Sequence, residues 1–395
     1  MTDTKKILEL SKKYETPFYI YDGTIIETQY TNLVSAFSNT SKVQVNYAMK
    51  ALSTISILQF MKQLGCCVDT VSINEVKLAL TAGFTTEEIF YTPNGAPFNE
   101  ILEVYNMGVH ITLDNLIQIE QIAQLNATKG IAVRLNPNIE AGANEKIKVA
   151  KKDSKFGLPL TDIDNLKKIS NKYSLHIDGF HIHLGSGIAD ISSFKESAQV
   201  LFDIAKQFKG LKFINFGGGF KVQYTEEDTF INIQEIGTVL SDIFNTFKKE
   251  YKEDILLILE PGKFLVSNSG KFITEVSTVK GQNVFVNSGF NHLIRPMYYD
   301  AFHQITNISS IEKSNKNYHI VGYICEQDSF GENRRLTKPH VGDIICIENA
   351  GAYCFTMASN YNARLRPMEL FMYNNETKII RNKETFENLL LNQVY

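Results

Sequence analysis

The chain has no tryptophan, no CxxC pair among its five cysteines and no block of basic residues. Its aromatic packing therefore rests on 26 phenylalanines and 18 tyrosines. Cys66, Cys67, Cys325, Cys346 and Cys354 are odd in number and thinly spread. That argues against a disulfide framework, and reduced thiols in a cytoplasmic protein are expected. No apolar run approaches the ~20 residues of a membrane span. The opening MTDTKKILELSKKYETP lacks the apolar centre of a signal peptide. A net charge of -3 with no basic patch makes nucleic acid and anionic membrane poor partners. Repeats and low-complexity tracts are lacking as well.

What is present is an ordinary globular composition, 44% hydrophobic and 21% charged over 395 residues, enough for two domains with cores of their own. From residue 40 to 265 short β-rich runs alternate with helical stretches. The strand candidates are 42–50, 66–72, 88–94, 109–115, 130–137, 176–186, 212–219 and 255–262. Between them, Leu201, Ile204, Ala205 and Phe208 share one helical face, and so do Ile236, Leu240, Ile243 and Phe247. Eight βα units predict a TIM-type (β/α)8 barrel. A Rossmann sheet competes, but the first βα turn has no GxGxxG. After about residue 268 strands follow one another with few helical patterns. Asn374-Asn375 predicts a hairpin turn, and the polar segment 305–317 a surface loop. The fold class expected is α/β. A barrel over 26–267 is followed by a β-sandwich or barrel-like domain over 268–395, with residues 1–25 packing on the latter.

In such barrels active sites lie at the C-terminal ends of the strands. Those ends carry Lys50, Asp69, Arg134 and Asn136, then His181 and His183 with Ser186, then Gly217, Gly218 and Gly219, and last Glu260 with Lys263. Taken singly, each has a plain explanation: a solvated lysine cap, a tight glycine turn, an exposed acid after a strand. Their convergence on one rim leaves two chemistries open. His181-x-His183 puts two imidazoles on one side of a strand, a start for a metal site. That site needs further ligands, for which only Asp69 and Glu260 are at hand. The other chemistry is a phosphate-bearing aldehyde cofactor. Glycine amides take the phosphate, Lys50 supplies an amine and Glu260 pairs with a ring nitrogen. Those are the needs of pyridoxal 5'-phosphate.

At this point the chain resembles the fold-type III pyridoxal-phosphate-dependent decarboxylases, and among them the diaminopimelate decarboxylases. The resemblance runs from TPFYIYD (16–22) to RLRPMEL (364–370). It is carried by NYAMK, HIHLGS, GGGF, EPGK, IRPMYYDAFH, CE at 325–326 and AGAYCFTMASNYNARLRP, all in order. It implies a barrel followed by a β domain and a homodimer with shared active sites. The implied reaction is decarboxylation of meso-2,6-diaminopimelate to L-lysine. By the same resemblance Lys50 holds the cofactor covalently, Asp69 lies beside it, Glu260 faces the pyridine nitrogen and His183 stacks on the ring. Ser186, Gly217, Gly218, Gly219 and Tyr353 take the phosphate. Arg295, Tyr299, Lys263, Glu326 and Tyr353 read the substrate. Cys325 is the acid that protonates the substrate carbon after carbon dioxide leaves.

The chain also departs from the family pattern. EPGK stands where the family has EPGR, so Lys263 keeps a charge but lacks the planar fork that grips a carboxylate. CEQDSFGENRRL replaces CESGD, bringing Asp328 and Arg334-Arg335 beside the Cys-Glu pair. One of those arginines is a candidate for the lost guanidinium. Another amino acid substrate, such as ornithine, lysine or a modified amino acid, stays open on these grounds. A non-catalytic regulator is the remote alternative, because such homologues tend to lose the lysine, the glycines or the cysteine. A racemase would use other bases and lack the Cys-Glu pair.

Overall fold

The computed structural model describes residues 4–125, 129–139, 154–188, 190–225, 227–228 and 232–394. The chain divides into two compact units. One comprises Gln29–Val222 and Thr229–Phe264, the other Met1–Thr28, Gln223–Asp228 and Leu265–Tyr395. Strands are numbered along the chain. The first, β1 (Phe18–Asp22), belongs to the second unit.

The first unit is a closed parallel barrel. Its strands are β2 (Val43–Ala48), β3 (Cys67–Thr70), β4 (Ile89–Tyr91), β5 (His110–Leu113), β6 (Ile131–Asn136), β8 (Ile177–Ile182), β9 (Phe213–Asn215) and β10 (Leu256–Leu259). Each pairs in parallel with the next, β10 returns to β2 through Leu259↔Val45, and Thr112↔Ala132 completes the ring between β5 and β6. A two-residue strand, β7 (Leu158–Pro159), adds to β6 at Leu135↔Leu158. All eight strands expected from the sequence are present. Because a parallel barrel buries both faces of its strands, they are near-continuous apolar runs, and β6 and β8 are buried at every position.

Several helices start where a side chain takes up their free amides. Asn115 accepts from Ile117 N at 2.9 Å, and Asp190 from Ser192 N and Ser193 N, each at 3.0 Å. Helix Ile191–Ala205 packs Phe202 against Phe247 of helix Ile233–Tyr251, with ring centroids 4.3 Å apart. The buried faces are turned slightly from the expected ones. Phe202 and Phe244 carry the packing, while Ile204 and Ile243 are only half-buried.

In the second unit β1 is inserted centrally, pairing antiparallel with β11 (Gly270–Lys280) and parallel with β17 (Met368–Tyr373). The sheet runs on through β12 (Asn283–Val286), β14 (Asn317–Val321) and β15 (Ser329–Arg335) on one side and β18 (Glu376–Arg381) on the other. Off this path β16 (Ile344–Ile347) pairs with β11, and β13 (Ile305–Asn307) with β16. β13 corrects the reading of 305–317 as a loop throughout: Ile305 and Asn307 are buried, but three residues are too short to show a period. Asn374 and Asn375 make the expected turn between β17 and β18, with φ of 51° and 65°.

Gly237, inside helix Ile233–Tyr251, sits so close to the end of helix Gly23–Ala36 that a Cβ would lie 2.3 Å from the Ala36 carbonyl oxygen. Helix propensity alone makes Gly→Ala stabilising by about 1 kcal/mol. Overpacking costs about 1–3 kcal/mol and dominates here. Gly237→Ala should therefore lower the urea midpoint, whereas a rise would mean that propensity wins.

Candidate active site

β2 ends in a 3-10 turn, Met49–Ala51, that presents Lys50 at the barrel mouth with its amine half-exposed. On the neighbouring strand Asp69 is buried, and its Oδ2 lies 3.6 Å from Lys50 Nζ. Its other oxygen, Oδ1, has no hydrogen-bond partner among the described residues. Burial, reinforced by the negative charge of Glu260 and only partly offset by Lys50, pushes the Asp69 carboxyl up to about 8.

Glu260, at the end of β10, is equally buried and behaves in the opposite way. Burial opposes its ionisation, but His181 and Asn215 outweigh it and bring the carboxyl down to about 2. Asn215 Nδ2 donates to Oε1 at 2.5 Å. His181 Nε2 stands 3.1 Å from Oε2, at ion-pair distance but off the line of a hydrogen bond. Asn215 also accepts from Gly217 N at 2.8 Å, so one amide side chain ties the acid to the glycine turn.

That turn needs its glycines. Gly217 and Gly219 have φ of +64° and +98°. A Cβ on Gly218 would meet the Glu260 carbonyl oxygen at 2.1 Å, and one on Gly219 the Gly185 carbonyl oxygen at 2.3 Å. Ile188 N donates to Gly219 O at 2.9 Å and pins the loop that carries Ser186 against the glycine loop. Two of the glycine amides are engaged within the barrel, Gly217 N by Asn215 and Gly218 N by His183 Nδ1 at 3.3 Å. Desolvation, then the charges of Arg134 and Lys50, holds His183 neutral. Arg134 itself is buried, its guanidinium 4.7 Å from the Phe156 ring centroid. Asn136 turns back on its own loop and accepts from Asn138 N. Lys263 opens the short helix Lys263–Val266 after Glu260-Pro-Gly.

The barrel mouth thus unites Lys50, Asp69, His181, His183, Asn215, Gly217–Gly219 and Glu260. Asn215 is the member that sequence reading missed. Its signal was an amide two residues before GGG on a strand otherwise apolar. The donor set suits pyridoxal phosphate: a reachable amine, a neutral imidazole, a carboxylate kept ionised and a glycine turn linked to a serine loop. Among the described residues no cluster of three or more His, Cys, Asp or Glu fit to hold a metal is found.

In the second unit Arg295 is buried, with Nη1 donating to Ala352 O at 3.0 Å and its guanidinium 5.4 Å from the Tyr224 ring centroid. Tyr299, half-buried, meets Tyr298 edge to face. Tyr353 is held at φ +57°, a rare setting for an aromatic residue. Cys325 and Glu326 are exposed and lie in a turn, because β14 stops at Val321 instead of running through them. The turn is made by Asp328, which is buried and accepts from Phe290 N at 2.8 Å and Ile324 N at 3.0 Å. Arg334 lies over the Phe302 ring at 3.8 Å on β15, and Arg335 pairs in register with Asn317.

Residues 24–267 match the family model described as the pyridoxal-binding domain of the pyridoxal-dependent decarboxylases. The chain is 32% identical to the diaminopimelate decarboxylase of Methanothermobacter thermautotrophicus, over 98% of this chain and 93% of that one. It is 33% identical to that of Campylobacter jejuni, over 96% of each. The chain belongs to this family. Among solved structures, the diaminopimelate decarboxylase of Helicobacter pylori complexed with L-lysine superposes with a TM-score of 0.87 at 32% identity. That match covers 97% of this chain and 98% of the other. Family membership accounts for the barrel and its lysine-bearing rim together. Among the described residues no helix is long and apolar enough to cross a membrane.

The raised Asp69 carboxyl has a consequence for cofactor-free protein. Its folded-state value lies above the ordinary 3.8, so the stability it contributes is complete below about pH 4 and is lost as pH rises towards about 8. Asp69→Asn removes that loss. The fall in the denaturation midpoint between pH 5 and pH 8, read by urea titration of both proteins, should be smaller in the variant. Equal falls would contradict the assignment.

Proposed function

We propose that the chain decarboxylates meso-2,6-diaminopimelate to L-lysine and carbon dioxide, using pyridoxal 5'-phosphate, as a cytoplasmic homodimer whose active sites draw on both protomers. The observation that carries the proposal is the buried Glu260 carboxylate, held ionised by His181 and Asn215 on the same rim as the half-exposed Lys50 amine. Decarboxylation leaves an electron pair on the substrate carbon, and bound pyridoxal phosphate supplies the sink for it.

The residues of this chain then have separable tasks. Lys50 holds the cofactor, and Asp69 faces the lysine amine from the adjacent strand. Glu260 keeps a proton on the pyridine nitrogen, because an anion there favours the charged ring. His183, held neutral, would lie against the cofactor ring without adding positive charge. Ser186, Gly217, Gly218, Gly219 and Tyr353 would hold the phosphate and so orient the bound cofactor. Arg295, Lys263 and Tyr299 bind the distal carboxylate, and Glu326 binds the distal ammonium. Cys325 gives its proton to the carbon that has lost carbon dioxide. The exposure of Cys325 and Glu326 suits residues that act on a partner protomer's site.

A second reading is favoured by one observation. Lys263 is a point charge where the family fork would be, and Arg334 is engaged by Phe302. A decarboxylase for an amino acid with a different distal end would carry such a change.

The purified protein should be yellow, and borohydride should fix the cofactor on Lys50, located by peptide mass. Colourless protein that gains no visible absorbance with added pyridoxal phosphate would overturn the proposal. Carbon dioxide release from meso-diaminopimelate should exceed that from ornithine or lysine by orders of magnitude; the reverse order selects the second reading. Cys325→Ala should keep the colour and lose at least about a hundredfold in turnover, the usual worth of a placed general acid.

A further inference from the structure

The exposed pair Cys325-Glu326 is met by one tight turn, Tyr361–Ala363, and by consecutive residues of it. The Tyr361 hydroxyl donates to Glu326. The Asn362 amide lies broadside to Cys325, with Oδ1 and Nδ2 both 3.3 Å from Sγ. The turn is unusual. Asn362 and Ala363 have φ of 55° and 54°, a setting L-residues rarely adopt and Ala less readily than Asn. It is held by anchors at its flank: Asn360 Nδ2 donates to Arg364 O at 3.0 Å and to Glu384 Oε2 at 2.5 Å, and Arg366 N donates to Glu384 Oε2 at 2.8 Å. Phe290 stacks on Tyr361 at 5.6 Å. A backbone this constrained delivers two side chains to two neighbouring polar groups, which a loose surface turn does not do.

An amide equidistant from a sulfur through both its ends can serve either protonation state. Its oxygen accepts from S–H. Its N–H donates to S⁻. A carboxylate could do only the first and a lysine only the second. We propose that Asn362 is a positioning residue for Cys325, accompanying the thiol through its proton cycle while Tyr361 sets Glu326 beside it. The inference rests on the reading of Cys325 as the proton donor. In that step the S–H bond breaks, a C–H bond forms at the substrate carbon and the electron pair stays on sulfur. Asn362 Nδ2 then donates to the thiolate until a proton from water restores S–H and the amide oxygen accepts again. The other four cysteines do not share this arrangement: Cys66, Cys346 and Cys354 are buried, and burial pushes the half-buried Cys67 up to about 11.

The test uses the holoenzyme and does not depend on turnover. Alkylation of Cys325 by iodoacetamide is followed by peptide mass across about pH 6 to 10, where a thiol titrates. Wild type, Asn362→Gly and Asn362→Asp are compared. Glycine accepts the positive φ of the turn while deleting the amide, so the fold is kept. Near neutral pH, Asn362→Gly should react about threefold more slowly and Asn362→Asp about tenfold more slowly. The midpoint of the rate profile should move up in both, because one variant loses a donor to the thiolate and the other adds a like charge. Profiles that coincide with wild type in both variants would overturn the inference. Failure of the underlying reading looks different, since Cys325→Ala would then retain turnover whatever the alkylation profiles show.

Discussion

A carboxylate that must stay charged inside a barrel is the constraint on which the rest of the site hangs. Moving an isolated carboxylate from water into a protein interior is costly enough that it ordinarily takes up a proton instead. Asp69 follows that rule and is pushed up to about 8. Glu260, on the same rim and as deeply buried, does not. The difference lies in two neighbours, the imidazole of His181 and the amide of Asn215, one on each flanking oxygen. Two buried acids pushed apart in this way is the pattern expected where one must act as an anion and the other handle a proton.

Backbone hydrogen bonds organise the chain around the acid as well. Glu260 N donates to Gly217 O at 2.7 Å, and Ala48 N donates to Pro261 O at 3.1 Å. The first bond ties the end of β10 to the glycine turn and the second ties it to the strand that carries Lys50. Gly262 continues the contact, since a Cβ there would stand 3.1 Å from Ala48 O. Lysine, acid and glycine turn are therefore one rigid assembly and not three loops that happen to meet. A site on strand ends can be held to the tolerance that chemistry at a ring requires, where free loops could not.

The barrel was legible because a fully buried parallel strand leaves a mark that survives in a single sequence: a short apolar run bounded by polar or turn residues, repeated eight times. The rim residues were legible for a related reason. A lysine, two histidines and an acid each have a plain explanation singly, but all of them fall at the same ends of apolar strands. What escaped was of two kinds. β13 is only three residues long and β15, SFGENRR, is mostly polar, so local pattern could not reveal them. Asn215 escaped because an amide next to glycines looks like turn chemistry, and only the fold shows its Nδ2 aimed at Glu260.

The turn at Cys325 shows how an apparent departure in sequence can preserve a local architecture. YHIVGYICE suggests a strand running through the cysteine, and the residues after it look foreign to the family. Yet the Asp328 carboxylate folds back on the amides of Phe290 and Ile324 and ends the strand four residues before Cys325. Two glycines make room for it: a Cβ on Gly322 would lie 2.1 Å and one on Gly289 2.6 Å from its Oδ2. A buried acid that collects two backbone amides and excludes side chains from its neighbours is a structural clamp. Burial raises its carboxyl, and those two amide bonds work against the rise. The departure thus spends its charge on shaping the turn that exposes Cys325 and Glu326. Under the proposed function, Lys263 is then the sequence change left to act on the substrate's far end.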